Sequence, residues 1–354
     1  MIVTDNFIIT KAEKSKLSAL SLENIHFGKY FTDHMLEVDY EDGEWKTVEI
    51  KPYQSLTIEP SLAALHYGQA IFEGIKAYKG SDGKVRIFRP KENFKRFNKS
   101  AIRMVMPEVP EEIFMEGMRQ LIKMDSAWVP PFHDHALYIR PFMFSTDPLI
   151  GVRASSKYKF MIICSPTGPY YSAPMRIYVE EKYVRAVPGG VGYVKAAGNY
   201  GAAMYPTAEA IKKGYDQVLW TDSAEHKYVQ ECGTMNVFFI IGKKAITPTL
   251  LQGTILAGVT RDSTIKMLQE MGVEVEERRL SIDEIEEAYK AGELHEVFGT
   301  GTAVTISMIK ELRYKDFVMN LNVNEAKIAQ EIKKRMDAIK EGEAPDTMGW
   351  MLKV

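Results

Sequence analysis

The sequence predicts an α+β protein, of mixed α/β character, built from two domains. Three observations lead there. The chain has 354 residues, enough for two domains at roughly 150 residues each. Strand-like runs come in series as well as between helices, which favours α+β over a doubly wound parallel sheet. Residues 166–174 hold three prolines and a glycine between two strand-like runs, the composition of a linker. The expected division is a small N-terminal α/β domain over 1–165, a linker over 166–174, and a larger C-terminal domain over 175–354.

Each element follows from local pattern. Residues 91–106 space Phe94, Phe97, Ala101, Ile102 and Val105 at helical intervals, with Pro90 at the start and Pro107 just past the end. Residues 111–129 read as a second helix, stopped by Pro130 and Pro131. Residues 136–145 and 157–165 are strand-like, apolar and aromatic. Beyond the linker, 175–185 reads as a strand. An alanine-rich helix then ends near Lys213, with Gly214 placed to take the left-handed turn. Pro206 should kink or break that helix. Residues 216–221, 227–231 and 236–241 read as short strands, and 260–271 as a helix closed by Gly272. Ser281 followed by Glu284 is a capping box and starts another helix. The segment from 324 to 340 is a charged, solvated helix.

Composition narrows the function classes. Hydrophobic residues make up 45% and charged residues 26%, with a net charge of −2, an ordinary globular balance. There is no basic footprint for nucleic acid and no apolar run near the roughly 18 residues of a membrane span. Cys164 and Cys232 form no C-x-x-C pair, which argues against a disulfide scaffold or zinc site and fits a reducing compartment. The N-terminus lacks the pattern of a signal peptide. A cytoplasmic protein is expected, although an organelle protein in mature form would look the same.

Several residues stand out chemically. Lys195 lies among small, apolar and aromatic neighbours, from Val191 to Gly201. A desolvated lysine is a usable amine for a Schiff base, although a snorkelling lysine beside a glycine turn would look the same. Glu231 is a single acid ending an apolar strand before Gly233. Buried, it needs a partner such as a pyridinium nitrogen; exposed, it is an edge-strand glutamate. Gly258-Val259-Thr260 leads into a helix whose first N–H groups suit a phosphate, or simply caps that helix. Gly299-Thr300-Gly301-Thr302-Ala303 would let backbone approach an anion, but glycine-rich turns are common. Phe27, Tyr67, Phe72, Tyr138 and Tyr170, taken singly, read as core.

Taken in order, nine segments resemble one family. They are FGKYFTDHML from Phe27, LHYGQAIFEGIKAYKG from Leu65, FRPKENFKRFNKSAIRM from Phe88, LYIRPF from Leu137, GGVGYVKAAGNYG from Gly189, QVLWTD from Gln217, ECGTMN from Glu231, ILAGVTRDS from Ile255 and EVFGTGTA from Glu296. Together they resemble the branched-chain amino acid aminotransferases, pyridoxal-phosphate enzymes of fold type IV.

The resemblance implies a two-domain fold with pyridoxal 5'-phosphate in the interdomain cleft, and a homodimer. The implied reaction reversibly passes the amino group of L-leucine, L-isoleucine or L-valine to 2-oxoglutarate. It implies that Lys195 carries the cofactor as an aldimine and serves as the catalytic base, that Tyr200 approaches the phenolic oxygen, and that Glu231 meets the pyridine nitrogen. Arg96, Thr300 and the backbone of Val259 and Thr260 are implied to hold the phosphate. Thr234 falls among the cofactor-binding positions and at the pocket wall. The substrate carboxylate is given to the backbone of Thr302 and Ala303. The side-chain pocket is given to Phe27, Tyr67, Phe72, Tyr138 and Tyr170, with Arg140 for glutamate's second carboxylate. Mammalian-type members carry a C-x-x-C pair where this chain has Val304 and Ser307, so thiol regulation of that kind is not expected. A D-amino acid aminotransferase or an aminodeoxychorismate lyase is the alternative within the fold, but those are usually shorter and lack the first two segments. A cofactor carrier without chemistry would lack the lysine or the acid, and both are present.

Overall fold

The computed structural model describes residues 2–4, 7–169 and 173–354; Tyr170, expected at the pocket, lies outside them. The strands, in chain order, are β1 (Ile2–Thr4), β2 (Phe7–Ile9), β3 (His34–Glu41), β4 (Glu44–Trp45), β5 (Val48–Pro52), β6 (Ala70–Phe72), β7 (Ile75–Lys79), β8 (Val85–Phe88), β9 (Ala136–Ser145) and β10 (Tyr158–Thr167). They continue with β11 (Met175–Val179), β12 (Gln217–Thr221), β13 (Val229–Cys232), β14 (Asn236–Ile241), β15 (Lys244–Pro248), β16 (Glu274–Arg278), β17 (Leu294–Gly301), β18 (Thr305–Tyr314), β19 (Phe317–Asn320) and β20 (Met351–Lys353). The helices are α1 (Ala63–Tyr67), α2 (Pro90–Arg103), α3 (Gly117–Met124), α4 (Ala197–Ala202), α5 (Met204–Lys212), α6 (Val259–Glu270), α7 (Ile282–Lys290) and α8 (Lys327–Lys340). Sheets and helices in this arrangement are the mixed α and β architecture expected.

The chain falls into two compact units. One comprises Met1–Tyr170, Lys195–Ala197 and Asp337–Val354, the other Tyr171–Val194 and Gly198–Met336. Among the described residues, the first unit holds an 11-stranded sheet in the order β1-β2-β5-β3-β10-β9-β7-β8-β20, with β4 on β3 and β6 on β9. Its long central pair is antiparallel, Tyr158 opposite Ser145 through Thr167 opposite Ala136. Phe97 from α2, Phe114 and Phe160 interlock at 5.4 to 5.8 Å between ring centroids and are almost fully buried, a core that fixes α2 against the sheet.

Among the described residues, the second unit holds a 9-stranded sheet, ordered β13-β12-β11-β18-β17-β14-β15-β16 with β19 on β18. Parallel pairs (β11 with β12 and β18, β15 with β16) mix with antiparallel ones. Met175, Ile177, Val179, Val237, Phe239 and Leu312 are among its core side chains.

Most expected elements are present, and the departures have local causes. α2 ends at Arg103; Val105 takes a left-handed φ of 54° and is exposed, as is Ile102, so these two do not face the core. The helix expected over 111–129 is three pieces: a π-helical turn at Glu112–Glu116, α3, and a 3-10 turn at Ser126–Trp128. Asp125 interrupts it, because its carboxylate is taken by the His34 backbone N–H at 3.1 Å and the His34 ring at 2.7 Å. β10 runs on through Pro166 and Thr167. β11 stops at Val179, where the Glu180 carboxylate accepts the N–H groups of Lys182 and Tyr183 and turns the chain. The alanine-rich helix breaks at Ala203. Pro206 then sits in the first turn of α5, where its missing N–H costs nothing. Gly214 closes α5 at φ 87°, and Ser281 Oγ accepts the Glu284 N–H at 3.1 Å, both as the sequence predicts.

Candidate active site

In the first unit, chemistry gathers where β6 turns into β7. Ala196 forms an antiparallel bridge with Ile71, and the Phe72 N–H donates to the Lys195 carbonyl at 3.2 Å. The lysine segment therefore lies along β6. Its own N–H donates to Ser100 Oγ on α2 at 3.0 Å. The half-buried Lys195 side chain sets Nζ 4.3 Å from the centre of the Phe72 ring. The Arg140 guanidinium lies 4.5 Å from the centre of that ring and 5.3 Å from that of Tyr138, both within cation–π range.

Arg140 also donates from Nη2 to Tyr138 Oη at 3.1 Å, while its buried Nε has no hydrogen-bond acceptor. A buried guanidinium N–H without an acceptor is costly, and a carboxylate would satisfy it. Phe27 packs edge-on against Tyr138 at 4.8 Å. Gly74 makes this packing possible, since a Cβ there would fall 2.2 Å from Tyr138 Oη. The structure thus brings together Lys195, Phe72, Tyr138, Arg140 and Phe27. Tyr67 closes α1 as an exposed side chain beside His66.

Below this group lies an ion pair that the sequence reading missed. Arg96, on α2, donates from Nε to Glu73 Oε1 at 2.7 Å and from Nη2 to Oε2 at 2.8 Å. Asn93 donates to the same Oε2 at 2.8 Å. Glu73 is completely buried. Burial alone would push its carboxyl up, but the Arg96 charge and hydrogen bonds, the Lys195 charge and Asn93 together hold it below the usual carboxylate range.

The second unit carries the other expected positions. Glu231 is buried in β13. Its Oε1 accepts the Leu256 N–H at 2.7 Å, and Oε2 stands 3.1 Å from Arg185 Nε in a buried ion pair. The Arg185 Nη2 donates to the carbonyls of Gly192 and Thr254, tying the glycine-rich turn to the strand acid. Cys232 beside it is held up to about 12 by burial and by the Glu231 charge, which leaves that thiol protonated and inert.

The two expected anion turns meet through one strand pair. Asn236 pairs across the sheet with Thr300. It also packs so closely on Gly258, the N-cap of α6, that a Cβ there would lie 2.0 Å from Asn236 Oδ1. Thr300 is buried, and its Oγ1 has no hydrogen-bond partner. Val259 and Thr260, also buried, open α6. A buried, unsatisfied hydroxyl near a helix N-terminus fits a phosphate.

Thr302 and Ala303 lie in the turn between Gly301 and its cross-strand partner Thr305, outside the ladder. Thr234 is exposed at the turn between β13 and β14. Tyr200 is half-buried in α4. Its neighbour Asn199, not singled out from sequence, donates to the carbonyls of Val191 at 2.8 Å and Val194 at 3.0 Å, fixing the strand of chain that leads to Lys195. Among the described residues, no group of His, Cys, Asp and Glu could hold a metal.

Comparison with known proteins agrees with this chemistry. The model of the amino-transferase class IV family matches residues 70–312. A probable branched-chain-amino-acid aminotransferase of Staphylococcus epidermidis is 50% identical over 337 residues, covering 94% of each chain. Branched-chain-amino-acid transaminase 1 of Bacillus subtilis is 51% identical over 294 residues, covering 82% of each. The solved branched-chain amino acid aminotransferase from Escherichia coli superposes with a TM-score of 0.72 at 26% identity, over 90% of this chain and 98% of that one. The chain belongs to the class IV aminotransferases and, within them, to the branched-chain amino acid aminotransferases.

Proposed function

We propose that this protein is a pyridoxal-phosphate-dependent transaminase. It exchanges the amino group of L-leucine, L-isoleucine or L-valine with 2-oxoglutarate in two half-reactions at one site. The observation that carries the reading is the pairing of Lys195 Nζ and the Arg140 guanidinium on the single ring of Phe72. An apolar ring suits a branched aliphatic side chain, and a guanidinium with an unsatisfied buried Nε suits the second carboxylate of glutamate. No observation favours a D-amino acid aminotransferase or a lyase.

The residues present fit the cofactor. Thr300 Oγ1 is a buried, unsatisfied donor, and it would hold the phosphate with Arg96 and the first N–H groups of α6 at Val259 and Thr260. Glu231, a buried carboxylate in β13, would hold a proton on the ring nitrogen. Tyr200 would face the ring's phenolic oxygen, and Thr234 would complete the wall. When bound, pyridoxal phosphate supplies the carbonyl carbon that receives the amino group and a ring that draws electron density from the substrate Cα. Lys195 would bind the cofactor through Nζ and, once released by substrate, remove the proton from the substrate Cα. The backbone of Thr302 and Ala303 would orient the α-carboxylate. Phe27, Tyr67, Phe72, Tyr138 and Tyr170 would exclude water from the side chain.

The protein is further proposed to be a cytoplasmic homodimer. Leu65, Ile102, Val105, Ile150 and Val152 of the first unit are 59 to 91% exposed, apolar side chains that a second copy would cover. Light scattering on the eluted protein reads the dimer directly. Both described cysteines are unpaired, which suits a reducing compartment. No helix among the described residues is long and apolar enough to cross a membrane.

The test is visible absorbance of the purified protein, with Lys195→Ala in parallel. A cofactor band that L-leucine converts and 2-oxoglutarate restores, and that fails to respond in the variant, supports the reading. A band that leucine leaves unchanged would refute the substrate class, and no band after added pyridoxal phosphate would refute the cofactor.

A further inference from the structure

In the second unit, the segment that leads into α6 is gripped by side chains before the helix begins. The Leu256 N–H donates to Glu231 Oε1 at 2.7 Å, and the Leu256 carbonyl accepts from Asn236 Nδ2 at 2.9 Å. Two residues earlier the Thr254 carbonyl accepts from Arg185. A peptide unit whose donor and acceptor are both taken by side chains has little freedom to tilt.

Asn236 is the member of this group that bears on both positions proposed to hold the phosphate. It stands directly opposite Thr300 in the antiparallel pair of β14 and β17, so the two side chains share one face of the sheet. The next pair on that face is Phe238 and Phe298, stacked at 5.4 Å between ring centroids and fully buried. Those rings lock the register of the two strands. Asn236 is itself buried, and beside it lies Gly258, the N-cap of α6. The φ of Gly258 is an ordinary −71°, so glycine is needed there for room and not for backbone freedom. A Cβ at that position would fall 2.0 Å from Asn236 Oδ1. Ser, Thr, Asp and Asn are favoured at a helix N-cap; here the Asn236 amide takes the space such a side chain would need.

We propose that Asn236 is a positioning residue for the cofactor phosphate: through the Leu256 carbonyl and the close contact at Gly258, it sets the N-terminus of α6 against Thr300. The first N–H groups of α6 point where the preceding segment directs them. The Asn236 amide fixes that segment relative to the strand pair that carries Thr300. The other edge of the same peptide is held by Glu231, so the acid proposed for the ring nitrogen and the helix proposed for the phosphate are joined through Leu256. Without the Asn236 amide, Glu231 still holds the Leu256 N–H, and the loss falls on the phosphate end.

The inference rests on the pyridoxal-phosphate reading, and its test separates the two. The full chain, freed of cofactor, is titrated with pyridoxal 5'-phosphate and in parallel with pyridoxal, which has the same ring and aldehyde but no phosphate. Visible absorbance reads both. Asn236→Ala removes the donor to Leu256 and leaves the groups at the ring end in place. Half-saturation should then need about tenfold more pyridoxal phosphate, while that for pyridoxal stays within about twofold of wild type. Gly258→Ala drives a Cβ into Asn236 Oδ1 and should give the same selective loss, by pushing the amide off the Leu256 carbonyl. The double variant should lose less than the product of the two single losses, because the side chain that clashes is gone. Should Asn236→Ala fail to fold, Gly258→Ala decides by the same comparison. Equal losses for the two aldehydes would make Asn236 a general support of the fold and overturn the proposal. Wild-type affinity for both, or single losses that multiply in the double variant, would overturn it too. A wild type that forms no band with pyridoxal phosphate would overturn the cofactor reading itself, and this inference with it.

Discussion

Ser100 Oγ accepts the Lys195 backbone N–H at 3.0 Å and donates to the Arg96 carbonyl one helical turn earlier, also at 3.0 Å. One fully buried hydroxyl thus ties Lys195, proposed to bind the cofactor, to the turn of α2 that carries Arg96, proposed to meet the phosphate. Ser100→Ala removes the acceptor and strands a Lys195 N–H. That should cost about 1–3 kcal/mol of stability, read as a lower thermal midpoint. Because the lysine backbone is no longer located, the leucine half-reaction should slow more than leucine affinity weakens. Single-turnover absorbance over a range of L-leucine concentrations separates the two, and a change in affinity alone would contradict the role.

The proposed function gives Arg140 the task of telling the two substrate types apart. Its guanidinium lies on Phe72 with Nε unsatisfied. Arg140→Met keeps an apolar wall and removes the partner of a second carboxylate. The glutamate half-reaction should fall about a hundredfold, equivalent to roughly 2.7 kcal/mol, while the leucine half-reaction changes only a few-fold. Equal losses in both would mean that Arg140 supports the pocket rather than reading the charge.

The sequence made the elements legible wherever local chemistry decides them. The capping hydroxyl of Ser281, the left-handed Gly214 and strand β9 are matters of neighbours a few positions apart. Lys195 and Glu231 stood out because each is a single charge in an apolar setting. By the same signal Glu73 and Arg185 are findable, since the residues on either side of each carry no charge. What local pattern could not supply was pairing over long separations. Asp125 interrupts its helix for His34, 91 residues away, and Ser100 serves Lys195 from 95 residues away. Polar residues in a helical stripe read as solvated faces until the fold shows that Asn93, Arg96 and Ser100 are all buried.

Thiol chemistry should leave this protein untouched in its native state. Cys164 and Cys232 are both buried, and burial first, with nearby Asp125 for one and Glu231 for the other, pushes both thiols up. A neutral, inaccessible thiol is neither nucleophile nor redox sensor. An aromatic disulfide reagent should therefore titrate no thiol in the folded protein and both after denaturation. Rapid native labelling accompanied by loss of activity would show that one of them is accessible after all.

The Glu73–Arg96 pair fixes how stability must depend on pH, and removing the arginine should reverse the sign. In the wild type the folded-state carboxyl of Glu73 is held below its unfolded value. Its contribution is complete above the unfolded value of about 4.3 and is withdrawn as the pH falls through the folded one. Arg96→Met leaves the buried carboxyl without its cation, so burial then raises it above the unfolded value. In that variant the contribution is greatest below about 4.3 and is lost as the pH rises through the raised value. Breaking a buried pair costs about 3–5 kcal/mol, so the variant should unfold at a clearly lower temperature at pH 7. The gap should narrow steadily toward pH 5, because the variant recovers while the wild type does not. Thermal midpoints of both proteins across that interval decide it: parallel curves would mean that Glu73 is not the group titrating, and that its charge is balanced without Arg96.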